Sequence, residues 1–330
     1  MGSSKNPLRR VFCWLNIPMK LHYLDPERYN ADRMYLSEWI QEDVLIVTDS
    51  DFENVELTKQ RLTQHPLQRR ILDITHNPWF DDRVPLSLEP VLTNNFQYWY
   101  SPKPSHVFLP LFLWMYSARR NLWWSQLCFD MHNRKTKGLM CLNNRPRPHR
   151  TLFWHEFNRR GIIDSMTFSF VKPCYNETGY NHPYPLLLPD EQPNARRNDV
   201  GVNHTVYAEC AVNLVTETAV DLTYLSEKTC KPFVARQIPI IASSVGCNQF
   251  LEDIGLDMFS DIVPWKTWDS EPDNTLRMYK IIEFVEKWTH AGTMLSDYCK
   301  VLDRVEQNKK YFHSEDFRMK IMQQMYDAFA

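Results

Sequence analysis

Between Val212 and Ser243 the chain runs Val-Asn-Leu-Val-Thr-Glu-Thr, a short polar loop, Tyr-Leu-Ser-Glu-Lys-Thr from Tyr224, Lys231-Pro232-Phe233, and then Ile238-Pro239-Ile240-Ile241-Ala242-Ser243. Two short apolar runs flank a predicted helix that starts with a carboxylate and an ammonium side by side. A strand, a charged helix start and a second strand are what an α/β nucleotide-binding unit needs.

Glycine limits how such a unit can hold phosphate. The chain has 8 glycines, none with GxGxxG spacing and none in a GxxxxGK[ST] loop. A dinucleotide fingerprint and a P-loop are both disfavoured. Any phosphate must be held by side chains and a helix N-terminus.

At 330 residues the chain is long enough for two domains, and its 43% hydrophobic and 13% aromatic content supports full cores. The net charge of -2 gives no global signal for nucleic acid. The 8 cysteines include no CxxC pair, which argues against a zinc ribbon and reads as reduced core thiols of an intracellular, soluble protein. The most apolar run, Val107 to Met115, carries Pro110. It is well short of the roughly twenty residues a membrane span requires, so it reads as a buried strand or helix.

Val44 to Thr48 is a compact apolar strand followed by Asp49, Ser50 and Asp51, and Arg70 to Thr75 is a weaker strand. The region 78–125 is crowded with Trp, Tyr, Phe and Pro, as a large aromatic core or an open sugar groove would be. A second α/β unit begins near Thr136. Gly138 to Leu142 is a strand, Asn143 to Arg150 a stiff basic loop, and Thr151 to Arg160 a helix that stops at Gly161. Ser165 to Val171 is the next strand, and 172–204 a long insertion. Gly246 to Ile254 reads as a short helix, Met258 to Val263 as a final strand, and 275–330 as helical. In that helical tail Ile281, Ile282, Phe284, Val285, Trp288, Leu302 and Val305 fall on buried faces. The expected architecture is two facing Rossmann-like domains with C-terminal helices. The first, acceptor-side, spans 1–135; the second, nucleotide-sugar-binding, spans 136–290; helices fill 291–330.

Two constellations carry chemistry. In Asn143-Asn144-Arg145-Pro146-Arg147-Pro148-His149-Arg150, three arginines sit between a strand and a helix, stiffened by two prolines. Guanidinium forks match phosphate oxygens, and the helix N-terminus adds a field that favours anions. A solvated basic loop is the structural alternative. In the second, Lys228 would neutralise a diphosphate and Glu227 would accept from ribose hydroxyls; Glu217, at the preceding strand end, and Ser226, which suits an N-cap, are counted with them as donor-binding residues. An ordinary charged first turn is the alternative here. Pro232 leaves two readings of the helix, one starting at Glu227 and kinked, one starting at Pro232.

The second constellation resembles the donor segment of fucosyltransferase-like glycosyltransferases of the GT-B type. Those carry Phe-Glu-Asn-Ser, then Tyr-Val-Thr-Glu-Lys, then an apolar stretch ending in Pro-Val-Val. This chain has Val215-Thr-Glu-Thr218, Tyr224-Leu-Ser-Glu-Lys228 and Ile238-Pro-Ile-Ile241. The Glu-Lys pair matches; the first block matches only at its glutamate. The resemblance runs over roughly 140–265. It implies a transferase that takes a sugar from a GDP-fucose-like nucleotide sugar to a glycan or other acceptor hydroxyl, by inverting displacement. It implies diphosphate contacts from Arg147 and Arg150, with Arg145 beside them. It also implies a catalytic carboxylate from the first domain, for which Asp49, Asp51 and Glu53 follow the first clear strand and His76 is second choice. No metal constellation stands out, and no cofactor beyond the nucleotide sugar is expected. The competing expectations are a non-catalytic binding or assembly protein that keeps the fold, and another phosphate-handling enzyme.

Overall fold

The computed structural model describes residues 21–23, 44–48, 70–73, 91–93, 95–103, 105–118, 135–143, 146–170, 205–324 and 327. The fold is α/β, built on two parallel sheets. Strands β1 (Leu21–Tyr23), β2 (Val44–Thr48), β3 (Arg70–Asp73), β4 (Val91–Thr93) and β5 (His106–Phe108) form one sheet in sequential order. Short helices α1 (Gln97–Tyr100) and α2 (Leu111–Ser117) flank β5.

The second sheet has the order β7–β6–β8–β9, with β6 (Lys137–Asn143), β7 (Met166–Phe170), β8 (Cys210–Thr216) and β9 (Ile238–Ala242). Every residue of β8 and β9 is buried, which is why both read as mostly apolar runs rather than alternating ones, with Asn213 the polar break inside β8. Pro239 pairs with Asn213 but lacks an N–H, and β9 is accordingly an edge strand among those described. Gly138 of β6 makes room for helix packing: a Cβ there would stand 3.1 Å from Met294 Sδ.

The remaining helices are α3 (Pro148–Arg159), α4 (Thr205–Glu209), α5 (Glu227–Val234), α6 (Cys247–Asp253), α7 (Lys266–Asp269), α8 (Asn274–Ala291), α9 (Met294–Lys300), α10 (Leu302–Phe312) and α11 (Glu315–Ile321). The two sheets share a chain-to-chain boundary. Asn95, just past β4, bridges Tyr224 in antiparallel fashion, and Phe96 N–H donates to Thr223 O at 3.0 Å. Phe96 stacks on Phe250 of α6 with ring centroids 5.2 Å apart. From the C-terminal end, Arg318 Nη1 donates to Ser117 O at 3.3 Å, and Gln324 Nε2 to Tyr98 O at 2.9 Å.

Three expectations change. Met258 to Val263 is not a strand. Asp257 Oδ1 accepts from Phe259 N–H at 2.8 Å, Phe259 takes a positive φ of 53°, and Val263 N–H turns back to Phe259 O at 2.8 Å. The aspartate side chain offers the backbone a local partner, and a turn forms. Val107 to Met115 is neither one strand nor one helix: Pro110 divides it into the end of β5 and the start of α2. Leu302 is 40% exposed rather than core, whereas Ile281, Ile282, Val285 and Val305 are buried. The insertion 172–204 lies outside the described residues. No helix among the described residues is long and apolar enough to cross a membrane.

Arg277 holds the back of the second sheet. It is 1% exposed, and its guanidinium donates to Ser243 O at 2.9 Å, Glu271 O at 2.5 Å and Val220 O at 2.7 Å. Arg277→Ala removes charge-assisted bonds and leaves these carbonyls short of a donor. The expected loss is roughly 3 kcal/mol or more, read as a lower urea midpoint.

Candidate functional site

The second sheet reverses its winding between β6 and β8. From β6 the chain moves to β7 on one side, and later returns to β8 on the other. In open parallel sheets the crevice at the carboxyl ends of such a pair is where ligands bind. Both sequence constellations end there. The basic stretch follows β6, and Thr216-Glu217-Thr218 leads from β8 to α5. Asn143 and Thr216, the last residues of the two strands, are joined by a hydrogen bond from Thr216 Oγ1 to Asn143 Oδ1.

The basic stretch is not all loop. Pro148 opens α3 at its first position, where a missing N–H costs nothing. Arg147 takes the extended backbone favoured before proline, with φ −138° and ψ 156°, and stands half-exposed at the N-cap. His149 and Arg150 fall in the first turn and point inward, 8% and 3% exposed. Arg150 Nη2 donates to Thr216 O at 2.9 Å and to Glu217 O at 3.0 Å. Burial draws its pKa down to about 10, with the Glu217 and Glu227 carboxylates opposing the drop, so it stays charged at neutral pH. His149 Nε2 lies 2.8 Å from Glu217 O, so that nitrogen carries the proton. Arg147 is thus the partly exposed arginine of the described stretch and Arg150 the buried one; Arg145 lies outside the described residues.

Across the crevice, α5 starts at Glu227, with Pro232 inside it. The reading in which the helix begins at Pro232 does not hold. Ser226 is the N-cap, its Oγ accepting from Lys228 N–H at 3.2 Å. That cap starts the helix early, and Pro232 simply withholds an N–H from the Lys228 carbonyl. Lys228 Nζ lies 2.5 Å from Glu227 Oε1, 3.4 Å from Thr218 Oγ1 and 3.5 Å from Ser226 Oγ. Glu227 is 8% exposed. Burial raises its pKa, but Lys228 and Lys231 outweigh that and hold the carboxyl below its usual range. Tyr116 of α2 is fully buried nearby; burial, then the Glu227 charge, lifts its phenol well above the ordinary value. Glu217 is fully buried, and both carboxylate oxygens accept bonds from its own loop and from α5.

The structure therefore places Arg147, Arg150, Glu217, Ser226, Glu227 and Lys228 at the carboxyl ends of β6 and β8. Arg150, Glu217, Ser226 and Glu227 are buried, whereas Arg147 and Lys228 keep partial exposure, Lys228 while bonded to Glu227. Asp49, Asp51, Glu53 and His76 lie outside the described residues. Asn143, named only as the first residue of the basic stretch, and Thr229 had no assigned role in the sequence patterns. A polar residue ending an apolar strand was the available signal for Asn143; Thr229 had none. Among the described residues no group of three or more His, Cys, Asp or Glu side chains could hold a metal ion. A separate cavity of about 500 Å³ is lined by Asp261, Trp288, Asp297, Lys300 and Arg304 among others. Arg304 is bonded to Asp257 and Asp261, and Lys300 to Asp297, so its charged groups already serve one another.

No protein-family model matches this sequence, and no curated protein matches it.

His149 sets a pH dependence. Burial first, and the Arg150 charge next, draw its pKa from 6.5 to about 3. Between those values the unfolded chain takes up a proton that the folded chain refuses, so stability rises with pH there and falls on acidification. The side-chain amide of His149→Gln can still donate to Glu217 O. This variant is expected to flatten the profile below about pH 6.5, seen in urea midpoints across a pH series. An unchanged slope would mean that His149 does not titrate this way.

Proposed function

We propose that this chain is a glycosyltransferase of the fucosyltransferase-like kind, moving a sugar from a nucleotide sugar to an acceptor hydroxyl. The observation that carries the reading is the placement of Arg147 and Lys228 at the starts of the two helices, α3 and α5, that follow the adjacent strands β6 and β8 at a topological switch point. Two cations at that edge suit a diphosphate, and α3 adds its N-terminal field. Lys228 would exchange Glu227 for the diphosphate. Glu227 would then be free to accept from ribose hydroxyls. A GDP-fucose-like donor follows from the Tyr224 to Lys228 resemblance alone.

The chemistry is a single displacement. An acceptor hydroxyl gives its proton to a carboxylate, and its oxygen attacks the anomeric carbon from the face opposite the leaving group. The bond to the diphosphate breaks with inversion, and Arg147 and Lys228 hold the charge that the nucleoside diphosphate carries away. No metal is required of this scheme, because the side chains supply the positive charge. The carboxylate is assigned to Asp49, Asp51 or Glu53, which follow β2 at its carboxyl end. The Asn95–Tyr224 bridge brings the carboxyl edge of the first sheet to the loop that leads to Lys228. That contact supports a cleft between two Rossmann-like domains spanning 1–135 and 136–290.

A second reading, a binding protein that keeps the fold, draws on one observation: Lys228 is paired with Glu227, and Arg150 with backbone carbonyls. Thermal stability against nucleoside diphosphates and nucleotide sugars separates the two. Ligand that binds only the folded state raises Tm. One nucleotide family is expected to raise it, with affinity falling about tenfold or more in Arg147→Ala and in Lys228→Ala. A flat response to every nucleotide at millimolar concentration would end the transferase reading.

A further inference from the structure

Glu217 occupies the centre of this edge and has no solvent exposure. Its carboxylate serves two ends of one loop. Oε2 accepts from Thr218 N–H at 3.0 Å, and Oε1 accepts from Ser226 N–H at 3.3 Å and from the Thr229 hydroxyl. Thr218 leaves β8 and Ser226 caps α5, so one side chain closes the loop at its base and grips the first turn of the helix. The same residue's carbonyl accepts from His149 Nε2 at 2.8 Å and Arg150 Nη2 at 3.0 Å, in the first turn of α3. The far side of the loop is held by the other sheet. Thr223 Oγ1 donates to Asn95 Oδ1, and Phe96 N–H donates to Thr223 O at 3.0 Å.

The two described helices that follow or carry candidate ligand groups thus meet at this residue. α3 follows directly on Arg147, and α5 carries Glu227 and Lys228. A buried carboxylate is a costly way to fill space, and an apolar side chain of similar volume is often no less stable. What the carboxylate adds is direction: its two oxygens fix two backbone N–H groups and a hydroxyl at set positions.

We propose that Glu217 is the positioning residue of the site, setting Lys228 in register with the Arg147 turn without touching the ligand. This rests on the diphosphate reading above for the identity of what is positioned. It also reassigns the glutamate, which the sequence resemblance places among donor contacts, to a supporting role. Lys228 Nζ reaches Thr218 Oγ1 and Ser226 Oγ, the two residues whose backbone Glu217 holds. Loosening the base of the loop therefore loosens the lysine.

Two measurements on the full chain test this. The first is amide hydrogen exchange without ligand. Glu217→Gln keeps the shape but turns one acceptor into a donor, which cannot receive an N–H. Exchange at Thr218, Ser226 and Lys228 is expected to rise about tenfold relative to Ile240 and Ile241 in β9. Thr229→Val, which removes one arm of the same network, is expected to act in the same direction with a smaller effect, and serves if the first variant does not fold. Unchanged exchange in both variants overturns the proposal. The second is a double-mutant cycle on GDP and UDP binding. Glu217→Gln is expected to weaken binding about tenfold in the parent and less than about twofold in Lys228→Ala, because its effect passes through the lysine. Equal losses in both backgrounds overturn the proposal in favour of a general structural role. If the parent binds neither GDP nor UDP while exchange responds as expected, the donor reading fails and the positioning of Lys228 by Glu217 stands.

Discussion

The carbonyls of Thr216 and Glu217, gripped by Arg150 and His149, are the contact on which the rest of the site depends. They lie where a strand ends and the sheet can no longer satisfy its backbone groups. A buried carbonyl left there without a donor is expensive. Arg150 answers by bringing a charge inside, and that charge needs compensation in turn. The nearby Glu217 and Glu227 carboxylates supply it. Glu217 then needs donors for its oxygens, which the loop and α5 provide. Each demand is met by the next residue outward, and the chain of demands stops at Lys228, which has solvent on one side.

This explains why the sequence was legible in some places and silent in others. Strands β8 and β9 stood out because burial on both faces leaves mostly apolar runs rich in Val and Ile, and β2 stood out for its similar composition. Strands β1, β4 and β5 have three residues each, too few for any period to show. Ser226 announced its cap by residue type and place. Arg145, Arg147 and Arg150 looked alike as a run of charge, and only the helix register could tell them apart. Pro148 held that information: a proline at the first helical position puts Arg150 in the first turn and Arg147 before it. Asn95 carried no signal, because its partner is Thr223, far along the chain. Met258 to Val263 misled for the opposite reason. Its apolar residues fit a strand, but Asp257 turned the backbone first.

Helix α5 shows how local rules yield to packing. It spans only eight residues and contains a proline, so it has little stability alone. Seven of the eight residues are buried nonetheless, among them Cys230, Phe233 and Val234. Phe233 stacks on Phe312 of α10, with ring centroids 5.6 Å apart. Tertiary contact holds the helix, the Ser226 cap defines where it starts, and the missing proline N–H is absorbed. The consequence for function is that Glu227 and Lys228 ride on a well-seated turn rather than on a free loop.

The scarcity of glycine completes the argument. A glycine-rich loop holds phosphate by bringing bare backbone N–H groups close to it. This chain spends its backbone donors at the same edge on internal partners: Thr218 and Ser226 N–H on Glu217, and Lys228 N–H on Ser226. Positive charge must then come from side chains, and side chains are precise only when their base is fixed. A deeply bonded frame under two part-exposed cations meets that requirement. Under the proposed function, the buried residues would support rather than touch the ligand, and Arg147 and Lys228 would meet a diphosphate from a frame already fixed by internal bonds.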